Sequence, residues 1–285
     1  MIEDARYAWN GLQEQMSQRL FCRIAGVARG TLRYEGKPES EFDQQVRETT
    51  IDLAWKRTEA GSPMVTQLLR RLGYPVNHKR VERIWKEEGL QVPRKRPRRR
   101  VSGTPWQREI EAKEPNEVWC YDFLFERTRR DEKMKILAVV DEYTRNCLAV
   151  HVDERINSEG VEIVLAGLME EHGAPKYIRS DNGSEFKAKE LQEWLVDQGT
   201  TPMYVDPGSP WQNGYAESFN GTFRRECLDR EAFGSRLEIQ VVANWWRMYY
   251  NNHRPHSSLG YRTPSEVSDL PLGGDLRGGH QCSLN

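Results

Sequence analysis

Three acidic residues stand in local contexts that suit metal-dependent chemistry. Asp122 lies in the strand-like run VWCYDFLFE, Asp181 lies in the loop-like run RSDNGSEF, and 35 residues separate Asp181 from Glu217. Because 43 of the 285 residues are acidic, many acidic pairs share any given spacing by chance, so spacing alone does not identify a site. Three such residues can also be solvated surface charges. Carboxylates are ligands that Mg²⁺ prefers, so three of them on three separate elements indicate a magnesium site.

Glu217 belongs to the segment 208–228, which reads GSPWQNGYAESFNGTFRRECL. We expect a turn in its first part and a helix from about Asn213 onward. Phe219, Phe223 and Cys227 follow one another at steps of four and give this helix an apolar stripe. Glu217 lies near the edge of the stripe, so a packed helix can hold it while its carboxylate reaches a cleft.

Alternating apolar runs predict the elements that carry the other two carboxylates. We expect strands at 117–126, 135–141 and 146–152, and an amphipathic helix from Ser158 to about Gly173. A short strand at 177–179 leads directly to Asp181. A helix containing Leu191, Trp194 and Leu195, a strand at 201–205 and the Glu217 helix follow, so the order predicts an α/β layer structure with a mixed sheet.

Charge is distributed unevenly along the chain. The net charge is −1 overall, but it is +8 over residues 1–110 and −9 over residues 111–285. The basic excess peaks in the run VPRKRPRRR at 92–100, which reads as a flexible linker. Clustered cations gain affinity for nucleic acid by releasing counterions, so we expect this run to bind DNA phosphates, the alternative being a solvated tether. The predicted contacts are Arg94, Lys95, Arg96, Arg98, Arg99 and Arg100.

Two segments near the N-terminus read as helical hairpins. In the first, a helix containing Leu20, Phe21, Ile24 and Ala25 ends at Gly26, and a second helix follows at 28–34. This pattern fits either a helix-turn-helix or an ordinary helical hairpin.

The second hairpin spans residues 63–89. Its first helix begins at Pro63 and is expected to bury Leu68, Leu69 and Leu72. Its second helix is capped by Asn77 and ends at Gly89, with an apolar stripe of Val81, Ile84 and Trp85. Lys79 and Arg80 project at the start of that helix, so we predict that they contact DNA, the alternative being a basic surface.

Composition excludes several classes of protein. No stretch approaches the roughly 18 apolar residues of a membrane span, and no signal peptide begins the chain. The five cysteines form no CxxC pair, as expected of reduced thiols in a cytoplasmic protein.

Four long motifs, in order, resemble the second-reading-frame (OrfB) transposase subunit of a large bacterial insertion-sequence family. They are VWCYDF, IRSDNGSEF, GSPWQNGYAESFNGTFRRECL and, at 249–266, YYNNHRPHSSLGYRTPSE. The 35-residue gap and the position of Arg224, seven residues after Glu217, agree with the family pattern. Upstream, VNHKRVERIWKEEGL resembles the helix-turn-helix that precedes the core in this family.

The resemblance implies an RNase H-like fold of the retroviral-integrase type, with Asp122, Asp181 and Glu217 as a metal-binding DDE triad. It implies cleavage of DNA and strand transfer, in which a 3′-hydroxyl attacks a phosphodiester, supported by two Mg²⁺ ions or by Mn²⁺. Two such ions about 3.5–4 Å apart can stabilise both the attacking and the leaving oxygen. We expect Asp122 to bridge the ions, with Asp181 and Glu217 each holding one.

Four further residues are assigned roles beside the triad. Arg224 is expected to hold terminal phosphates and Asn213 to contact DNA. Trp211 is expected either to stack on an unpaired base or to pack in the core. Arg254 is interpreted mainly as part of a packed helix end, with DNA nearby as the alternative.

The predicted domains are a helical hairpin at 1–38, a helix-turn-helix-like DNA-binding domain at 39–91, a basic linker at 92–112, the catalytic core at 113–270 and a disordered tail at 271–285. The expected partners are the element ends and target DNA, the first-reading-frame (OrfA) protein, and further copies of the chain on DNA near the bacterial nucleoid, with no membrane. Two alternatives stay open: a regulator that binds DNA without catalysis, and a plain RNase H-like nuclease, which the two hairpins disfavour.

Overall fold

The computed structural model describes residues 2–33, 38–91, 110–205 and 213–270. The chain divides into two compact units, Met1–Thr49 and Thr50–Asn285. Within the described residues, no helix is long and apolar enough to cross a membrane. The basic run at 94–100, Trp211 and the tail from 271 lie outside the described residues.

The first unit contains a small helical core. Ser17 caps the second helix by accepting a hydrogen bond from the amide of Leu20, and Gly26 ends it in the left-handed region at φ 66°. The helix predicted around Leu20, Phe21, Ile24 and Ala25 is present, and within it Leu20 and Ile24 are 44% and 71% exposed. Phe21, Cys22 and Leu32 form the core instead, and Trp9, on a first helix that the sequence did not predict, packs on Phe21. The helices are α1 (Ile2–Leu12), α2 (Gln18–Ala25) and α3 (Arg29–Arg33).

The second predicted hairpin is present as two short helices. α4 (Glu41–Lys56) precedes them, and the hairpin itself is α5 (Ser62–Arg71) and α6 (His78–Glu87). Asn77 caps α6 as expected, accepting a hydrogen bond from the amide of Lys79 at 3.0 Å. Leu69 and Val81 are fully buried, but Leu72 is 59% exposed, because it follows the last turn of α5. The prediction that Leu72 is buried was therefore wrong.

An ion pair links this hairpin to the end of the described chain. Arg71, in the last turn of α5, donates to both carboxylate oxygens of Glu266 at 2.8 and 2.7 Å. Glu266 also completes a capping box with Thr263 at the start of α11 (Pro264–Ser268). The guanidinium of Arg71 therefore holds α5 against α11.

A mixed five-stranded sheet forms the centre of the second unit. Its first three strands are antiparallel neighbours, whereas the last two run parallel to β1, giving the spatial order β3-β2-β1-β4-β5. All five strands were predicted from alternation and length. They are β1 (Val118–Arg127), β2 (Lys133–Asp141), β3 (Cys147–Asp153), β4 (Tyr177–Ser180) and β5 (Thr201–Tyr204).

Helices cover both faces of the sheet. On one face, α7 (Ser158–His172) and α8 (Lys189–Asp197) pack on a cluster that includes Trp119, Tyr121 and Leu137. On the other face, α9 (Gly214–Glu226) and α10 (Arg236–Asn252) pack on Cys120 and Leu124. Because β1 is central, its side chains alternate between two buried layers. This three-layer α/β architecture is the one that the resemblance to RNase H-like cores implies.

Candidate active site

Asp122 lies at the middle of the central strand and faces α9. Its neighbours at steps of two, Cys120 and Leu124, belong to the cluster on that face. One carboxylate oxygen, Oδ1, accepts a hydrogen bond from the amide of Phe123 at 2.8 Å, and Oδ2 accepts one from Nδ2 of Asn220 at 2.8 Å. The carboxylate is thus fixed by the strand that carries it and by the helix that covers it.

Asp181 follows directly after the neighbouring parallel strand. The pairing of β1 with β4 ends at Cys120 and Arg179. Asp122 lies two residues after Cys120, and Asp181 lies two residues after Arg179. Because β1 and β4 run in parallel, continuing this register places Asp122 and Asp181 side by side. Oδ1 of Asp181 accepts a hydrogen bond from the amide of Gly183 at 2.9 Å, which closes a tight turn.

Glu217 lies in the first turn of α9 and is exposed. Residues three apart on a helix are neighbours, so Glu217 shares a face with Asn220, the residue that donates to Asp122. Because α9 packs against β1 and β2, this face of the helix is directed at the sheet edge that carries the two aspartates. Asp181 and Glu217 therefore approach Asp122 from two different elements, the segment after β4 and the helix α9.

The pKa of Asp122 reflects its burial and the charges of its neighbours. The pKa of Asp122 is raised to about 6, chiefly by burial and also by the negative charges of Asp181 and Glu217, while the hydrogen bonds from Phe123 and Asn220 act in the opposite direction. Each of the other two carboxylates therefore lies close enough to oppose ionisation of Asp122. Even so, in the described part of the chain no group of three His, Cys, Asp or Glu side chains is gathered tightly enough to form a metal site as it stands.

The chemistry of the donors suits a hard divalent cation. The set consists of carboxylate oxygens together with the side-chain oxygen of Asn220, which is buried and has no hydrogen-bond partner. Magnesium prefers oxygen ligands of this kind and commonly retains water in its other positions. A cation at this edge would also offset the repulsion that raises the pKa of Asp122.

Asn220 was not singled out from the sequence. The available signal was its position three residues after Glu217, which puts the two side chains on one helical face. Its bond to Asp122 joins positions 98 residues apart, and no local pattern predicts such a pairing.

Arg224 lies two turns after Glu217 on α9, beside the end of β1. Its guanidinium donates to the carbonyl oxygen of Phe125 at 2.7 Å and to Glu126 at 3.3 Å, and it lies 3.6 Å from a carboxylate oxygen of Asp229. The side chain is 41% exposed. It is therefore anchored by protein groups and still open to an anionic ligand.

The remaining predicted DNA contacts fall in different settings. Lys79 is exposed at the start of α6, and Arg80 beside it is partly buried. Asn213 is only 4% exposed, and its Oδ1 has no hydrogen-bond partner, so its burial disfavours a contact with DNA. Arg254 forms an ion pair with the buried Glu226, so its side chain is part of the packed end of the helix.

Comparison with known families supports the same class of protein. Two family profiles described as integrase core domain match residues 112–210 and 198–264. A third, described as HTH-like domain, matches residues 41–98. In fold, the chain is similar to a simian T-cell lymphotropic virus intasome, with a TM-score of 0.51 at 15% identity over 82% of this chain and 78% of the viral one. Fold and profiles together define a polynucleotidyl-transferase-type enzyme with an integrase core and an HTH-like region.

Relatives among bacterial mobile elements narrow this class. The chain is 37% identical over 253 residues to an uncharacterized protein of insertion element IS407 from Burkholderia multivorans, covering 89% of this chain and 91% of that protein. It is 31% identical over 218 residues to the InsD transposase of insertion element IS2 from Escherichia coli, covering 72% of each. The chain therefore belongs to the OrfB-like transposases of bacterial insertion sequences.

Proposed function

We propose that this transposase cuts and joins DNA through the carboxylates of Asp122, Asp181 and Glu217, with divalent metal ions as cofactors. The observation that supports the proposal is geometric: Asp181 follows the strand paired with β1, Asn220 on the Glu217 face of α9 donates to Asp122, and the charges of Asp181 and Glu217 both raise the pKa of Asp122. Three like charges held near one another disfavour their own ionised forms, and a bound divalent cation reverses that penalty.

The carboxylates of Asp122, Asp181 and Glu217 would hold the Mg²⁺ or Mn²⁺ ions. When bound, such ions supply an activated oxygen nucleophile and charge stabilisation at the phosphorus and at the leaving oxygen. Asn220 keeps Asp122 oriented, because its amide occupies one carboxylate oxygen and leaves the remaining lone pairs for coordination.

The nucleophile would be water in the cleavage step and the 3′-hydroxyl of the element end in strand transfer. Both reactions break one phosphodiester bond and release a 3′-hydroxyl, so one set of carboxylates can serve both. Arg224, partly exposed beyond Glu217, would contact a DNA phosphate near the reacting one.

DNA would be held by the basic parts of the chain that precede the core. We propose phosphate contacts from Lys79 and Arg80 at the start of α6 and from the cations at 94–100. The element ends and target DNA would be the substrates, several copies of the chain would assemble on them, and the OrfA protein, separate or fused, would help to select the ends.

The test compares the intact chain with Glu217→Gln on labelled duplexes carrying element ends, in Mg²⁺ or Mn²⁺. The variant removes one charge and keeps the size of the side chain. We expect loss of nicked and joined products by a factor of about 10³ or more, as when transition-state charge stabilisation is removed, with DNA binding retained. Glu193→Gln, at an exposed position on α8, is the matched control and should react like the wild type.

Equal activity of Glu217→Gln and the wild type would refute the proposed site. If neither protein yields products, alone or fused to the OrfA protein, while both bind DNA, the chain acts as a DNA-binding regulator instead.

A further inference from the structure

A buried lysine lies beneath the loop that carries Asp181. Lys135, on β2, is 8% exposed, on the face of the sheet opposite Asp122. Its ammonium group pairs with the carboxylate of Glu185 and donates to the carbonyl oxygen of Ile156 at 3.0 Å. It also lies 3.6 Å from the centre of the Phe123 ring. A cation this deeply buried is stabilised only by such a set of partners.

The same contacts fix the residues that follow Asp181. Glu185 and Phe186 are the last side chains of the segment 181–186, which is named here the Asp181 loop. The Phe186 ring is fully buried, stacks on Phe123 with centroids 4.5 Å apart, and meets Tyr121 edge-on at 4.4 Å. The carbonyl oxygen of Phe186 accepts a hydrogen bond from the hydroxyl of Tyr204 at 2.9 Å.

Phe123 joins the two halves of this arrangement. It is the residue next to Asp122, and its amide donates to the Asp122 carboxylate. Its ring contacts both Lys135 and Phe186 on the opposite face of the sheet. The strand residue that positions Asp122 therefore also supports the end of the Asp181 loop.

We propose that Lys135 and Glu185 are positioning residues, whose ion pair holds the Asp181 loop against β1 and β2 so that the carboxylate of Asp181 stays beside that of Asp122. Neither residue touches the substrate. The ion pair acts by restricting the loop, and its consequence for metal binding rests on the proposed function.

The ion pair of Lys135 and Glu185 is one of the contacts that attach the Asp181 loop to the sheet. The Asp181 loop is held internally by short-range bonds, from the amide of Gly183 to Asp181 at 2.9 Å and from the amides of Phe186 and Lys187 to the carbonyl oxygen of Gly183, each at 3.1 Å. These bonds shape the turn but do not attach it to the sheet. The attachment comes from the Phe186 ring, from the hydrogen bonds that link Phe186 to Tyr204 and Asn182 to Val205, and from Glu185, whose partner lies on a strand 50 residues away.

The first measurement is hydrogen exchange of the metal-free protein. Lys135→Met removes the cation at similar length, and Glu185→Gln removes the anion without changing size. In both variants we expect faster exchange at the amides of Gly183, Phe186 and Lys187, and unchanged exchange in α9. The control variants Lys189→Met and Glu193→Gln disrupt an exposed ion pair, 3.2 Å long, on α8 and should leave the loop unchanged.

The second measurement is the metal concentration that gives half-maximal DNA cleavage, together with Mn²⁺ binding followed by electron paramagnetic resonance. Partners that orient metal ligands typically contribute about 10–100-fold to metal affinity. We expect the two variants to need about tenfold more metal and to approach the wild-type rate when metal is saturating. A general loss of folding would instead lower the maximal rate.

Unchanged exchange in the Asp181 loop would overturn the inference, and so would an unchanged metal requirement in an active enzyme. If the wild type does not cleave DNA, the proposed function fails, yet hydrogen exchange still decides whether the ion pair holds the loop. The two failures are therefore distinguishable.

Discussion

At the level of single residues, Asp122 gives the site its electrostatic character. Burial and the two neighbouring carboxylates raise its pKa to about 6 from a usual value of 3.8. Between these two values the folded protein holds a proton that the unfolded chain has released. The contribution of Asp122 to folding is therefore most favourable below about pH 4 and is lost as the pH rises through 6.

Replacement by a neutral side chain of the same shape should reverse this penalty. We expect Asp122→Asn to raise the free energy of unfolding at pH 8 by about 3 kcal/mol, since the pKa lies about two units above 3.8 and each unit corresponds to about 1.4 kcal/mol, and to abolish cleavage. The gain should shrink toward pH 4. Urea denaturation across this pH range measures it.

Asp197→Asn, at an exposed position at the end of α8, is the control and should change stability little at either pH. A gain for Asp122→Asn at pH 4 as large as that at pH 8 would show that lost repulsion is not its cause.

The sequence points to the three carboxylates but not to the residues that hold them in place, and both facts have the same physical reason. Asp122, Asp181 and Glu217 each stand in a segment whose element type follows from local periodicity, and the motifs around them carry the resemblance to transposase cores. The hydrogen bond from Asn220 and the ion pair of Lys135 join residues 98 and 50 positions apart. Such pairs depend on strand register and helix rotation, which no local pattern determines.

At the level of elements, a buried ion pair fixes the far end of the helix that carries Glu217. Arg254, just after α10, donates to the Glu226 carboxylate from Nε at 2.8 Å and from Nη2 at 2.6 Å. The two side chains are 12% and 4% exposed. Because Glu226 is in the last turn of α9, this pair sets the position of the helix relative to the segment that follows α10.

Loss of one partner should be costly. Arg254→Met leaves the buried Glu226 without its cation, so we expect the free energy of unfolding to fall by about 3–5 kcal/mol. Adding Glu226→Gln removes the uncompensated charge and should restore part of that loss. Urea denaturation of the single and double variants measures both effects, with Lys189→Met as the exposed-pair control.

Equal destabilisation of the single and double variants would indicate lost packing rather than an unpaired charge.

Element type proved more predictable than side-chain exposure. The strands and long helices of the core follow from sustained alternation and from helical stripes, because both faces of the sheet are covered and leave a strong apolar signal. Leu72 was expected to be buried and is exposed, and the apolar residues Leu20 and Ile24 of α2 are exposed as well. A helix of eight to ten residues leaves few apolar positions from which to infer its buried face, and residues beside its end turn outward.

At the level of the whole molecule, charge is separated along the chain. The part that contains the catalytic core, residues 111–285, carries −9, whereas residues 1–110 carry +8. A negatively charged core repels the phosphate backbone that it must approach. The basic part would offset this repulsion. When clustered lysines and arginines neutralise DNA phosphates, condensed counterions are released into solution, and the protein gains affinity for DNA of any sequence.

The salt dependence of DNA binding should report this division of labour. Replacing the six cations at 94–100 by serine should flatten the plot of log affinity against log salt by about 0.9 for each DNA phosphate that is no longer neutralised, and so by up to about 5. The drop in affinity should be similar for element ends and for unrelated DNA, because phosphate contacts position a protein without reading sequence. Fluorescence anisotropy over a range of KCl concentrations measures the slope. The control variant replaces the exposed Arg155 and Lys189 of the core by serine. An equal change in slope per charge in that variant would mean that overall charge, rather than the basic run, attracts DNA.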